Sequence, residues 1–137
     1  MHKEIVRDQF FLMQKCLPCP ASEREALARD LADTLALHRH ECVGLAANMI
    51  GSRYRAIIVL APAGDLIMFD PVIVSGTDPF ISEEGCLSLA GTRKTERYGS
   101  IEVSYTDRKG RARRSSFSGM CAVIIQHETD HLNGILI

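Results

Sequence analysis

The chain has 137 residues, of which 46% are apolar and 24% charged, and its formal net charge is −1. These values predict one globular domain, residues 1–137, with enough apolar side chains to form a core without disulfides. The balance of sixteen basic and seventeen acidic residues excludes a general electrostatic attraction to nucleic acid or membrane, and no stretch is long enough to span a bilayer. The first residues, Met1 to Glu4, do not form a secretory signal.

Cys16 and Cys19 have the C-x-x-C spacing of redox pairs and of half a zinc site. No predicted strand precedes them and no second C-x-x-C exists, so we expect no redox role. A helix is predicted from a possible capping box of Ser22 and Glu25 to about His40. Its apolar face consists of leucines at helical spacing, Leu27, Leu31 and Leu35, and we expect this face to pack on a sheet.

Two apolar runs, 56–60 and 66–69, flank turn residues 62–65 and predict a hairpin of buried strands. A second hairpin is predicted from residues 101–105, which alternate in polarity, and 112–117. The only basic cluster lies in this hairpin and consists of Arg108, Lys109, Arg111, Arg113 and Arg114. It is either a contact for ribosomal RNA or, as is more usual for a charged hairpin, a solvated edge that prevents aggregation.

Residues 119–132 are predicted to form a helix. Ser118 is the expected N-cap, and Asn133-Gly134 supplies a stop signal because glycine tolerates the left-handed conformation there. The segment contains His127-Glu128-Thr129-Asp130-His131, an H-E-x-x-H pattern. On a helix the two histidines lie one turn apart and can bind one cation, while Glu128 remains free to transfer protons. The same pattern also arises by chance on helices whose histidines only line a surface.

A catalytic tetrahedral site needs a third protein ligand. No Asp, Glu, His or Cys follows His131, and Ile137 stands where metzincins carry a third histidine. The pattern therefore argues against the common zinc proteases and places the ligand upstream. The candidates are several carboxylates and the five cysteines Cys16, Cys19, Cys42, Cys86 and Cys121.

Three blocks resemble peptide deformylases in order and approximate spacing: Gly44-Leu45-Ala46-Ala47 with Gly51, Glu84-Gly85-Cys86-Leu87-Ser88, and Gln126-His127-Glu128 through Gly134. The resemblance runs from roughly Leu27 onward. It implies an α+β fold in which small antiparallel or mixed sheets surround a C-terminal metal-binding helix, which agrees with the predicted order of elements.

The resemblance implies Cys86, His127 and His131 as ligands of one divalent metal. Fe²⁺ is the physiological expectation, and Zn²⁺, Ni²⁺ or Co²⁺ are alternatives in purified protein. It further implies that Glu128 is the proton carrier, that the Leu87 N–H stabilises an oxyanion, and that the reaction removes the N-formyl group from the first methionine of nascent polypeptides. A metal-bound thiolate at Cys86 favours a reducing compartment, so we expect a cytoplasmic protein.

The substrate pocket implied by the resemblance comprises Val43, Gly44, Glu84, Gly85, Met120, Val123 and Ile124. Apolar residues on the same helix face as His127 would equally suit an ordinary core. The chain stops just after the metal-binding helix, where many bacterial deformylases continue. This makes contact with the ribosome possible but doubtful. We expect a monomer.

The first block departs from the family pattern. Met49 replaces a glutamine that donates a hydrogen bond to the oxyanion, and a thioether cannot donate. Asn48 is not expected to replace it, because neighbouring side chains on an extended segment point to opposite faces. Loss of such a donor predicts turnover lower by roughly 10²–10³.

Other departures are Cys42 in place of a glycine and Ala90 in place of a frequent proline. Both should alter the substrate groove more than the metal site. Arg93 keeps the family spacing after Cys86, so we expect it to bind Glu84 or Ser88 or to be an exposed arginine without a role.

Two alternatives remain open. The first is a related metalloamidase that acts on a different acylated amine. The second is a non-enzymatic paralogue with a structural or sensing metal, although Glu128 argues against it because a structural metal prefers a fourth protein ligand.

Overall fold

The computed structural model describes residues 1–137. It contains three α-helices, α1 (Gln9–Leu12), α2 (Arg24–Leu37) and α3 (Gly119–Leu132), and two 3₁₀ helices, Ala21–Glu23 and Ala47–Ile50. The strands are β1 (Gly44–Ala46), β2 (Ala56–Ala61), β3 (Gly64–Cys86), β4 (Leu89–Thr106) and β5 (Ala112–Ser118). They form one five-stranded antiparallel sheet in the order β1-β2-β3-β4-β5. The predicted α+β class is confirmed, and the strands form a single sheet rather than several.

Both predicted hairpins are present. β2 pairs with β3 from Ala56↔Phe69 to Ala61↔Gly64, so Pro62 and Ala63 form the turn. β4 pairs with β5, and Asp107 holds their turn by accepting hydrogen bonds from the backbone N–H groups of Lys109 and Arg111. This is the Asx-type turn chemistry expected of an aspartate before a glycine.

The long β3–β4 hairpin was not predicted from the sequence. It pairs from Phe69↔Thr106 to Cys86↔Leu89, and its outer part is largely exposed, so it lacks the apolar alternation of a half-buried strand. Asp70 and Asp78 have positive φ, and the register shifts between Phe69 and Val72 and again after Ile73. These bulges further conceal the strand pattern. Glu84 and Cys86 lie at the end of β3, next to the turn that leads into β4.

The helix α2 is shorter than predicted, because it begins at Arg24 and ends at Leu37. The capping box of Ser22 and Glu25 is wrong: a 3₁₀ turn precedes the helix, and its N-cap makes no side-chain hydrogen bond. The predicted apolar face is correct, since Leu27, Leu31 and Leu35 are buried.

The helix α3 has the predicted bounds and packs across β1, β2 and β4. Its residues Ala122, Ile125 and Leu132 are fully buried in the same core cluster as the middle of the sheet. Ser118 occupies the N-cap position without a side-chain hydrogen bond. Gly134 ends the helix with φ +78, and any Cβ there would overlap the Met13 carbonyl, so both conformation and space require glycine.

Cys16 and Cys19 are both buried and are not joined in a disulfide. Burial raises the pKa of both thiols, that of Cys19 to about 11. A protonated, buried thiol is a poor nucleophile, which is consistent with a packing role for the pair. None of the helices combines the length and apolar composition needed to cross a bilayer.

Candidate metal centre

A cysteine at the end of β3 meets two histidines on α3. The potential ligand atoms of Cys86, His127 and His131 all lie within 4.8 Å of one another. The Nε2 atoms of the two histidines are 3.1 Å apart. The H-E-x-x-H spacing places both rings on one helix face, and the tight turn after Cys86 directs the sulfur toward them.

The donor set fits a divalent metal. Both histidines are buried, and burial together with neighbouring His127 lowers the pKa of His131 to about 3, so its ring is neutral and has a lone pair to offer. One sulfur and two imidazoles suit Fe²⁺, Zn²⁺, Ni²⁺ or Co²⁺ but neither Mg²⁺ nor Ca²⁺. Three protein ligands leave a coordination position for water or substrate, as in catalytic sites.

Glu84, on strand β3, orients the ring of His127. Its Nδ1 donates to Oε1 of Glu84 at 2.6 Å, which directs Nε2 toward the other ligands. Although burial opposes ionisation of Glu84, hydrogen bonds from His127 and Arg97 lower its pKa to about 2. The carboxylate is therefore ionised at neutral pH.

Of the two alternatives for Arg93, support of Glu84 or Ser88 is wrong, because Arg97 holds Glu84. Arg97 is 3% exposed and binds both oxygens of Glu84, with Nε at 2.9 Å from Oε2 and Nη2 at 2.7 Å from Oε1. Its Nη1 reaches Asp130 at 2.5 Å. Arg93 contacts only the Ala90 carbonyl, at 3.5 Å. Arg93 and Arg97 are four residues apart in a stretch of β4 without a register shift, so they share one face of the strand. They differ in position along it, because Arg97 also lies within reach of Asp130 on α3.

Glu128 is the free carboxylate of the site. It is 5% exposed, and its Oε1 has no hydrogen-bond partner. Burial raises its pKa to about 7. A group with this pKa can both accept and release a proton near neutral pH.

A cleft of about 540 Å³ opens beside these groups. It is lined by every residue predicted to bind substrate, namely Val43, Gly44, Glu84, Gly85, Met120, Val123 and Ile124. Cys86, Leu87, His127, Glu128, Met49 and Cys42 also line it. His131 lies behind them and is fully buried.

Gly44 brings β1 against the metal-binding helix. A Cβ at this position would lie 2.7 Å from Cγ2 of Ile124 and 3.1 Å from Oε2 of Glu128. Any side chain here would push β1 and α3 apart, so glycine is needed for the close approach.

Met49 is 1% exposed, and its sulfur accepts a hydrogen bond from the Ala46 N–H at 3.4 Å. It offers the cleft no donor. Asn48 lies in a 3₁₀ helix rather than in the extended segment that was predicted. As expected, its amide does not take the place of the missing glutamine side chain in the cleft. Its Nδ2 donates to the His131 carbonyl at 2.7 Å, and the residue does not line the cleft.

Cys42 also changes the wall of the cleft. Its thiol donates to the Gly44 carbonyl at 2.8 Å, and burial raises its pKa to about 11. Ala90 lies outside the cleft lining.

The basic hairpin is paired within the chain. Arg108 binds Glu25, Arg111 and Arg113 both bind Asp107, and Arg114 binds Glu102. Internal pairing favours the interpretation as a solvated edge, because less positive charge remains for an RNA backbone.

Gln126, which belongs to the third sequence block but had no role assigned to it, is a structural contributor to the site. Its side chain accepts from the Tyr98 N–H and donates to the Tyr98 carbonyl, both at 2.8 Å. It thereby fastens α3 to β4 one residue before His127. Neither Gln126 nor Arg97 has a local sequence signal, since their partners are distant in the chain.

A Cys-His-His donor set with an unpaired buried carboxylate beside an open cleft defines a metallohydrolase site. The family model described as polypeptide deformylase matches residues 3–137. A peptide deformylase of Clostridium beijerinckii is 47% identical to the chain, and the alignment covers 100% of both proteins.

Solved structures give the same result. The class I type b peptide deformylase of Acinetobacter baumannii, crystallised with a compound designated K1U, superposes with a TM-score of 0.89 at 33% identity, covering 99% of this chain and 97% of that one. A structure of the Acinetobacter enzyme with Met-Ala-Ser bound gives a TM-score of 0.89 at 30% identity, with the same coverage. The chain belongs to the polypeptide deformylase family, which confirms the resemblance of the three sequence blocks.

Proposed function

We propose that the chain hydrolyses the N-formyl group from the first methionine of newly made polypeptides, releasing formate, and that Met49 makes this reaction slow. The observation that supports the chemistry best is the unpaired Oε1 of buried Glu128 beside the Cys86, His127 and His131 cluster. A structural metal site would have no use for such a carboxylate.

Cys86, His127 and His131 would hold the metal, and we propose Fe²⁺ as the physiological ion. When bound, a divalent ion in such a site polarises a carbonyl and lowers the pKa of water toward about 7. Glu84 serves the site indirectly, because it holds His127 in the orientation that frees Nε2.

Glu128 carries the proton. Its unpaired oxygen can accept a proton from the attacking water, and a pKa of about 7 lets the same group return the proton to the departing amine. The cleavage then yields formate and a free α-amino group. Because the carboxylate is buried, no competing solvent hydrogen bond weakens this transfer.

The apolar part of the cleft suits a methionine side chain. Met120, Val123 and Ile124 present one face of α3, and Val43 lies opposite on the segment that enters β1. The Acinetobacter relative was crystallised with Met-Ala-Ser, which supports an N-terminal methionine peptide as the ligand here. Gly44, Glu84 and Gly85 complete the walls.

The Leu87 N–H is the proposed oxyanion donor. It donates to no backbone acceptor in the turns and loops of the chain and lies next to Cys86. At Met49, by contrast, the thioether is turned onto the Ala46 N–H and supplies no donor. The loss of this donor predicts a kcat that is roughly 10²–10³-fold lower.

We infer further that residues 1–137 act as one catalytic domain, that the protein works as a cytoplasmic monomer, and that nascent chains are its partners. The single core shared by α2, α3 and the sheet supports the first inference. The internal ion pairs of the basic hairpin give no support to a contact with ribosomal RNA.

The test is formate release from a formyl-Met tripeptide by protein purified without oxygen and loaded with Fe²⁺ or Ni²⁺. We expect Met49→Gln to raise kcat, Met49→Leu to leave it near the wild-type value, and Glu128→Ala to abolish release. Met49→Leu is the matched control because it is similarly bulky and equally unable to donate. Absence of formate from every metal form, including Met49→Gln, would contradict the proposal.

The second candidate is hydrolysis of a different acylated amine, favoured by the fact that two of the three departures from the family pattern, Cys42 and Met49, line the cleft. A panel of substrates with varied acyl groups and N-terminal side chains separates the two. Faster release of another acyl group than of formate would establish the second candidate.

A further inference from the structure

The N-terminal segment, residues 5–8, runs along the outside of the site and touches two of its walls. The Val6 N–H donates to the Met49 carbonyl at 2.8 Å. The next residue, Arg7, donates from Nη1 to the Leu87 carbonyl at 2.5 Å. Consecutive residues thus join the segment that carries Met49 to the turn that follows Cys86.

The carbonyl that Arg7 binds belongs to a peptide group with a second contact. The chain has no cis peptide bonds, and in a trans peptide the C=O and the N–H point in opposite directions. The carbonyl of the Leu87–Ser88 peptide faces Arg7, and its N–H donates to Sγ of Cys86 at 3.4 Å. A single peptide plane therefore connects the guanidinium to the sulfur.

We propose that Arg7 is a positioning residue for Cys86, acting through the Leu87–Ser88 peptide to keep the Ser88 N–H directed at the sulfur. A charge-assisted bond to a carbonyl fixes the peptide plane more firmly than a bond to water. It also polarises the peptide, which strengthens the hydrogen bond made by the N–H at the other end. The effect of Arg7 on turnover rests on the proposed function, whereas its effect on the sulfur does not.

The consequence for the thiolate follows from its hydrogen bond. An N–H donated to a metal-bound sulfur withdraws electron density, and such contacts tune metal sites. Without Arg7 the two-residue turn between Cys86 and Leu89 can rotate its central peptide, and the sulfur loses its donor.

Arg7 lies outside the three sequence blocks and is exposed, so the simpler interpretation is an arginine that only shields the turn from water. The two interpretations differ in what they predict for the sulfur. Shielding alone leaves the electronic state of Cys86 unchanged, whereas positioning through the peptide alters it.

The experiment uses the full chain loaded with Co²⁺ and compares wild type, Arg7→Gln, Arg7→Lys and the control Arg53→Gln. Arg53 is exposed and its side chain makes no hydrogen bond or ion pair in the chain. We expect Arg7→Gln to move the thiolate-to-cobalt charge-transfer band to lower energy, because a sulfur without its donor gives up electrons more readily. Arg7→Lys should retain most of the wild-type band, and Arg53→Gln should match wild type.

Kinetics of the Ni²⁺-loaded proteins give the second measurement. Arg7→Gln should lower kcat by about tenfold and leave KM nearly unchanged. About tenfold is the smallest effect that is typical when a residue supporting a metal ligand is lost. An unshifted cobalt band in Arg7→Gln would overturn the proposal. If wild type releases no formate, the proposed function fails while the cobalt band still decides the role of Arg7.

Discussion

Nδ1 of His127 donates to Glu84 across 2.6 Å, although the two residues are 43 positions apart in the chain. The orientation of one metal ligand on α3 is therefore controlled by the far end of strand β3. Arg97, from β4, holds the same carboxylate, so helix and hairpin meet in one buried network.

Glu84→Gln should weaken metal binding by about 10–100-fold, because a neutral amide holds the His127 ring less firmly than a carboxylate does. The affinity for Zn²⁺ can be measured by competition with a chromophoric chelator. Glu83→Gln is the matched control, since Glu83 is exposed and contacts only Thr92. Equal affinities of Glu84→Gln and wild type would show that the carboxylate does not orient the ring.

Arg97→Ala should lower the free energy of unfolding by about 3–5 kcal/mol, because it leaves Glu84 without its buried cation. Urea denaturation of the metal-loaded proteins measures the change. Arg93→Ala, at the position that the sequence suggested, should change stability by no more than about 0.5 kcal/mol. A larger loss of stability in Arg93→Ala than in Arg97→Ala would mean that Arg93, and not Arg97, supports Glu84.

Gly44→Ala should reduce kcat at least tenfold and destabilise the fold by about 1–3 kcal/mol through overpacking. The added methyl would meet Ile124 at 2.7 Å and Glu128 at 3.1 Å, so it displaces the proposed proton carrier as well as the strand. In the control Gly85→Ala the nearest atom is 3.6 Å away, and stability should not fall. Unfolding curves and formate release report the two effects separately.

Asn48→Ala should lower stability by about 1–3 kcal/mol, because the hydrogen bond to the buried His131 carbonyl is lost. It should leave kcat of the folded enzyme near the wild-type value, since the amide does not face the cleft. A large fall in kcat with unchanged stability would mean that Asn48, and not Leu87 alone, donates to the oxyanion.

Apart from the capping box of Ser22 and Glu25, the parts of the structure with a local sequence signal were predicted correctly. The bounds of α3 follow from its apolar spacing and from Gly134, and the H-E-x-x-H pattern places two histidines on one face whatever surrounds them. The two short hairpins follow from apolar runs beside turn residues. The strand that delivers Cys86 has no such signal, so only the family resemblance selected this cysteine from five.

The parts that depend on tertiary contacts could not be predicted. Arg93 and Arg97 share one face of β4, and Arg93 is the direct cross-strand partner of Glu84, yet Arg97, which also reaches Asp130 on α3, binds the carboxylate. The positive φ values of Asp70 and Asp78 and the register shifts near them had no sequence signal either. Arg7 was missed for a similar reason, because its partner lies 80 residues away.

The helix α3 supplies four residues of the core cluster, Ala122, Ile124, Ile125 and Leu132, and two of the three proposed metal ligands. Without it the parts of β1, β2 and β4 that α3 covers would be exposed to water, so the sheet cannot fold stably first and acquire its site later. Docking of α3 closes contacts between residues distant in the chain, which is the slow kind of step in folding. Folding and assembly of the active site are therefore one event, and thermal unfolding and loss of the metal site should share a single midpoint.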